Sequence, residues 1–127
     1  MRCILLLLVT IILFGCKSEI DNYLKNYPSA LSPDKKAIVY QTSFKEDGVF
    51  RVSLATWIET AFASGGGGIF DIQLDSIENL KFYWTSDTTI MVTYPSYAKV
   101  LRQNRQTYFF GRNIHINYVT EEKIQDR

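Results

Sequence analysis

Few residues of this 127-residue chain carry strongly reactive side chains, and one of them has a distinctive setting. The cysteines are Cys3 and Cys16, and the single histidine is His115. Cys16 closes the stretch Leu13-Phe14-Gly15-Cys16, after an apolar run over residues 3–14 and before the polar Lys17-Ser18-Glu19. A thiol there can form a thioether at the point where the chain passes from oily to polar. His115 lies between Ile114 and Ile116, so alternation turns it outward on a strand. Hydrolytic chemistry at His115 would need a nucleophile and an acid brought in from elsewhere. A lone histidine without a second soft ligand is a poor transition-metal site, so no metal is expected. Acidic residues are scattered, and no pair has a spacing that points to paired-carboxylate chemistry. Gly65-Gly66-Gly67-Gly68 could present backbone N–H groups to a phosphate. A P-loop needs Lys and Ser/Thr next, however, and Ile69-Phe70 stand there. The run reads instead as a flexible connector. Lys99, Arg102, Arg105 and Arg112 lie among Tyr97, Tyr108, Phe109 and Phe110. Cations interleaved with aromatics suit lipid head groups, glycan or a partner protein, although a solvated strand edge has the same composition. Lys99, Arg102, Arg105, Tyr108 and Arg112 therefore form the candidate binding surface.

The N-terminal stretch resembles a bacterial lipoprotein signal peptide ending in a lipobox. Met1-Arg2 supplies the basic start, residues 3–14 the apolar segment, and Leu13, Gly15 and Cys16 the matching positions. Phe14 is bulkier than the residue usual there. The resemblance implies a diacylglyceryl group, palmitate included, on the Cys16 thiol and cleavage between Gly15 and Cys16. Further acylation of the new amino group would follow. As a helix the apolar run rises roughly 18 Å, short of the roughly 30 Å bilayer core. One acyl chain holds a protein marginally and two hold it stably. The implied location is the cell envelope, with Lys17 in place of Asp favouring the outer membrane in a cell that has one. Cys3 leaves with the signal, so the mature chain has no thiol for a disulfide, a metal or a nucleophile.

Removing residues 1–15 removes Arg2 alone among the charged residues, which leaves 13 basic against 13 acidic. A chain so balanced lacks the basic excess of a dedicated nucleic-acid binder. Eight Tyr, eight Phe and two Trp, with many β-branched residues, favour strands.

The pattern along the chain agrees. Residues 18–27 are partly helical, with Ile20, Tyr23, Leu24 and Tyr27 on one face, Ser18 as a possible cap and Pro28 as a stop. Residues 37–42 and 49–55 alternate around a hairpin loop at 44–48 that contains Asp47-Gly48. Thr56 and Glu59 have capping-box spacing, which predicts a short helix over 56–64 stopped by Gly65. Strands are predicted over 69–74, 79–85, 88–94, 108–110 and 113–119, with a turn at Gly111-Arg112-Asn113. The 96–107 segment fits a loop, an extended hairpin or a helical turn. The expected organisation is a signal peptide at 1–15, a lipidated tether at 16–30, one β-rich domain at 31–120 and a charged tail at 121–127. The fold class is mainly β, with α+β as the variant: a small antiparallel sheet or sandwich of about seven strands with one or two short helices. Ala37/Val39 oppose Ile38/Tyr40, so apolar residues occupy both faces, which calls for a second layer or covering helices.

An internal echo is also present. Leu31-Ser32-Pro33-Asp34-Lys35-Lys36-Ala37-Ile38-Val39-Tyr40 parallels Trp84-Thr85-Ser86-Asp87-Thr88-Thr89-Ile90-Met91-Val92-Thr93. The first copy resembles a TolB-type β-propeller repeat, with Lys35 where that family usually has Gly. A closed propeller needs at least four blades, more than this chain can supply, so the echo implies blade-like hairpins. Asp34 and Asp87 read as turn formers. Together these features point to a non-enzymatic, lipid-anchored envelope protein that binds or supports a protein partner, with no cofactor beyond the lipid and no nucleic acid. The alternatives are a periplasmic immunity or inhibitor lipoprotein and a small hydrolase using His115.

Overall fold

The structure, a computed structural model, describes residues 19–122. The signal peptide, Cys16, Ser18 as a cap and residues 123–127 of the tail lie outside the described residues.

Helix α1 (Glu19–Asn26) leads into β1 (Ser29–Leu31), β2 (Ala37–Glu46), β3 (Val49–Glu59) and β4 (Ser64–Leu74). A single 3₁₀ turn (Ile77–Asn79) precedes β5 (Lys81–Ser86), β6 (Thr89–Pro95), β7 (Lys99–Gln103), β8 (Gln106–Phe109) and β9 (Arg112–Glu121). The first sheet has the order β1-β2-β3-β4-β7 and the second β5-β6-β9-β8. The protein is thus mainly β, a small two-sheet sandwich. Two strands go beyond those expected. β1 is too short for alternation to register, and β7 is exposed along its length and has no alternation to show.

The alternation seen in the sequence now has a partner on each side. Val39, Val52, Leu54, Ile58, Phe70 and Ile72 of the first sheet meet Ile90, Val92, Ile114 and Ile116 of the second in one buried core. Each such side chain is worth about 1.5–3 kcal/mol when fully buried. On the other face of β2, Ile38 is fully buried, and Ile20 of α1 is only 5% exposed. Tyr23 of α1 stacks on Tyr40 at 4.1 Å and lies 5.7 Å from Trp57. Burial and hydrogen bonding with Tyr23 push the Tyr40 phenol up to about 12. Both layers demanded by the two-faced strand are therefore present, a sheet on one side and a helix on the other. Within the 16–30 segment expected as a tether, α1 rests on the first sheet through Ile20 and Tyr23, and Tyr27 just after it does so through Tyr40.

Asp47-Gly48 makes the expected tight turn, with φ of 53° and 79°. It joins β2 directly to β3, so the predicted 44–48 loop is mostly strand. The predicted helix over 56–64 is absent, because β3 runs on to Glu59. The alternation Val52, Leu54, Thr56, Ile58 continues through the capping-box spacing, and all four side chains are buried. Glu59 serves another helix: its Oε1 accepts the Ile20 N–H at 2.9 Å.

The glycine run is likewise part of a strand. Gly65, Gly66, Gly67 and Gly68 pair with Ile58, Trp57, Thr56 and Ala55. A Cβ on Gly66 would sit 1.8 Å from the Thr56 carbonyl oxygen, so only glycine allows this backbone approach. A Cβ on Gly67 would meet nothing closer than the Phe109 ring at 3.6 Å.

The 96–107 segment crosses between the sheets. β7 pairs antiparallel with β4, and β8 pairs antiparallel with β9. This excursion separates β6 from β9, which pair in parallel, the one departure from the expected antiparallel arrangement. Parallel neighbours need a long crossover, and β7 and β8 supply it.

Gly66→Ala is expected to cost about 2 kcal/mol or more through overpacking against backbone. Gly67→Ala should stay within about 1 kcal/mol of wild type. Urea unfolding of the two variants checks this, and equal stability would contradict the close approach at Gly66.

Candidate functional site

Four chain reversals gather at one end of the sandwich. They are the turn after β1, the turn between β5 and β6, the loop at 60–63 and the Phe110-Gly111 turn between β8 and β9. The start of α1 reaches the same end through the Ile20–Glu59 hydrogen bond.

The two echo turns meet there. Asp34 accepts from the Ser32 hydroxyl at 2.6 Å and from the Lys36 N–H at 3.1 Å, which closes its own turn. Its backbone N–H donates to Asp87 Oδ1 at 2.7 Å, and this ties the turn of the first sheet to the turn of the second. Arg112 completes the tie. Its Nη2 pairs with Asp34 Oδ2, while Nη1 reaches Asp34 Oδ1 at 3.3 Å and the Asp87 carbonyl at 3.2 Å. Partial burial alone would raise the Asp34 carboxyl. The hydrogen bonds from Arg112, Ser32 and the Lys36 N–H, with the Arg112 charge, outweigh it and hold the group down at about 2. The turn-former reading of Asp34 and Asp87 thus describes their geometry, and the echo becomes one hairpin in each sheet.

This tie divides the candidate binding surface. Lys99 and Arg102 lie on β7 at the edge of the first sheet, and Tyr108 lies on β8 at the edge of the second, 65% exposed. Arg105 stands in the link between those strands. Arg102 lies against β4, where a Cβ on Gly68 would meet its Nη1 at 2.8 Å. Lys99 and Arg102, opposite Gln73 and Asp71, face out from the first sheet, whereas Tyr108, next to core-packed Phe109, faces out from the second. Arg112 belongs instead to the end, engaged with Asp34. His115 is exposed on the second sheet, with Thr89 and Gln106 as its cross-strand neighbours. Neither neighbour is a carboxylate. Among the described residues no group of three His, Cys, Asp or Glu side chains could hold a metal ion.

The same end also holds residues that the sequence did not single out as a site. Lys35, Lys36, Glu59, Thr60 and Phe110 join Arg112 around an open depression between the turns. Beside it Phe62 is 99% exposed, the most exposed large apolar side chain among the described residues. The loop that carries Phe62 is pinned by Thr60. The Thr60 N–H donates to the Ala63 carbonyl at 2.8 Å, and its Oγ1 accepts from the Phe62 and Ala63 N–H groups at 3.3 and 3.0 Å. Phe110 is 48% exposed and sits at φ 52°, a region that bulky residues rarely adopt. The sequence cue is an isolated aromatic between Ala61 and Ala63, which the predicted helix would have turned onto a packed face.

Comparison with protein-family models, curated proteins and solved structures finds no match for this chain.

The Asp34 tie makes stability depend on acid. The folded carboxyl titrates at about 2 against an ordinary 3.8. Its contribution is therefore complete above about pH 4 and lost as the pH falls through about 2. Asp34→Asn should cost about 1–2 kcal/mol at neutral pH and flatten the wild-type decline over that window. Urea unfolding across a pH series gives the difference, and parallel curves for the two proteins would refute the tie.

Proposed function

We propose that this chain is a lipid-anchored protein of the bacterial cell envelope, held by acyl chains on Cys16. Its sandwich is a non-enzymatic module that binds or supports a partner at the membrane. The single observation that carries this reading is the spacing between the lipobox-like stretch and the folded domain. Cys16 precedes Glu19 by three positions, and Ile20, one residue further on, is packed at 5% exposure and tied to Glu59. An extended chain covers at most about 3.6 Å per residue. The acylated residue would then lie within about 11 Å of α1, so the anchor would hold the domain itself against the bilayer.

The balanced charge of the mature chain and its lack of a thiol are in keeping with a binding role. The edge strands β7 and β8, with Lys99, Arg102, Arg105 and Tyr108, are the candidate partner surface, because they carry exposed cations and an exposed aromatic. The outer membrane is the proposed site in a cell that has one, from Lys17 after the lipidated cysteine.

Growth with an alkyne-tagged fatty acid tests the anchor. Wild type should take up the label and shift on processing, and Cys16→Ala should do neither. Equal labelling of both proteins would remove the basis of the reading.

A further inference from the structure

Two aromatic side chains stand exposed at the end of the sandwich where α1 begins. Phe62 is 99% exposed on a loop that four hydrogen bonds from or to Thr60 hold in a fixed turn. The loop therefore presents Phe62 outward and keeps it from folding back on the core. Phe110 occupies a left-handed turn position at φ 52°, and its ring lies against Gly65, where a Cβ would meet it at 3.2 Å. Both rings are close to the point where the chain enters the domain. The Ile20 N–H donates to Glu59 Oε1, and Glu59 immediately precedes the Phe62 loop.

The occupant of this surface follows from where that chain comes from. Only Lys17 and Ser18 separate Cys16 from α1, so a lipid on Cys16 would bring the bilayer to this end. We propose that Phe62, with Phe110 beside it, inserts into the interface of the lipid bilayer that holds the Cys16 anchor, and so fixes the sandwich with this end down. The inference rests on the lipid-anchor reading and adds an orientation to it. Aromatic rings suit this depth because they are apolar and rigid. Lys35 and Lys36 in the adjoining turn can extend their stems along the surface with their ammonium groups in the head-group layer. Glu19 and Glu59 lie at the same end and offset those cations, so the contact is apolar in origin and does not require anionic lipid. The edge strands β7 and β8, with Lys99, Arg102, Arg105 and Tyr108, are left clear of the bilayer, where a partner could reach them.

The test uses the full lipidated chain in phosphatidylcholine vesicles with or without bromine on the acyl chains. Phe62→Trp adds a reporter at the loop while keeping an aromatic ring, and Glu46→Trp adds one at the opposite end. The 11-residue strand β3 separates the two positions by about 34 Å. The emission added over wild type is read in each case. The expected result is blue-shifted emission from position 62 that brominated lipid largely quenches, with no quenching at position 46. Intact mass of the same sample reports the lipid on Cys16. A lipidated chain whose position 62 is as unquenched as position 46 overturns the bilayer contact alone. A chain without lipid on Cys16 overturns the anchor reading and this inference with it.

Discussion

The bulge in β4 is the constraint on which the rest of the sandwich depends. Leu54 faces Phe70 and Ala55 faces Gly68, so Ile69 has no partner across the β3–β4 pair. The extra residue lets Ile69 and Phe70, consecutive in the chain, both be fully buried. It also releases the Ile69 carbonyl from the ladder. That oxygen accepts the Asn104 N–H at 2.8 Å and the Tyr118 hydroxyl at 3.3 Å. Asn104 lies where the chain leaves the first sheet for the second, and Tyr118 is on β9 of the second sheet. One irregularity in one strand thus orients the centre of the core and anchors the crossover. Phe70 completes the arrangement with ring contacts to Tyr94 at 5.1 Å and Tyr118 at 5.0 Å.

The two ends of β4 then have different tasks. Its apolar half fills the core. Its glycine half removes side-chain bulk, so that β3 can approach at Gly66 and the rings of Phe109 and Phe110 can lie against Gly67 and Gly65. The second task leads to the exposed end. Because Gly65 leaves room for Phe110, the β8–β9 turn closes beside the 60–63 loop, and Arg112 immediately after that turn reaches Asp34. The Arg112–Asp34–Asp87 tie joins both sheets where the turns gather. A rigid end is also what an anchor three residues away would require, since a frayed one would let the domain swing.

Much of the fold was legible from alternation alone. Val52/Leu54, Ile90/Val92 and Ile114/Ile116 face the core as their period-two spacing indicates, and Asp47-Gly48 turns as its residue types dictate. The misread stretches share one cause. Thr56 and Glu59 satisfy a local helix rule, but Thr56 lies on a face whose burial is set by the second sheet. The glycine run looks like a connector because glycine has low strand preference, and its pairing is imposed by β3 from outside. β7 has no apolar period because it is an exposed edge. Among the candidate site residues, Lys99 and Arg102 share the outward face of β7, while Tyr108 faces out from the second sheet. Arg112 is drawn to the end of the sandwich, because the carboxylate that takes it lies 78 positions away in the chain.

What the amino-acid sequence determined by itself is local: a β-rich chain, its tight turns, a balanced charge, and a cysteine at the end of an apolar run just ahead of the domain. Each depends on residue type and near-neighbour spacing, which the unfolded chain already contains. Only the tertiary structure decided that two distant Asp turns lock together, that the glycines form a strand, and that two aromatics share the end at which α1 begins. Those relations depend on pairing between residues far apart in sequence. Register, close approach and exposure arise only once both partners are in place.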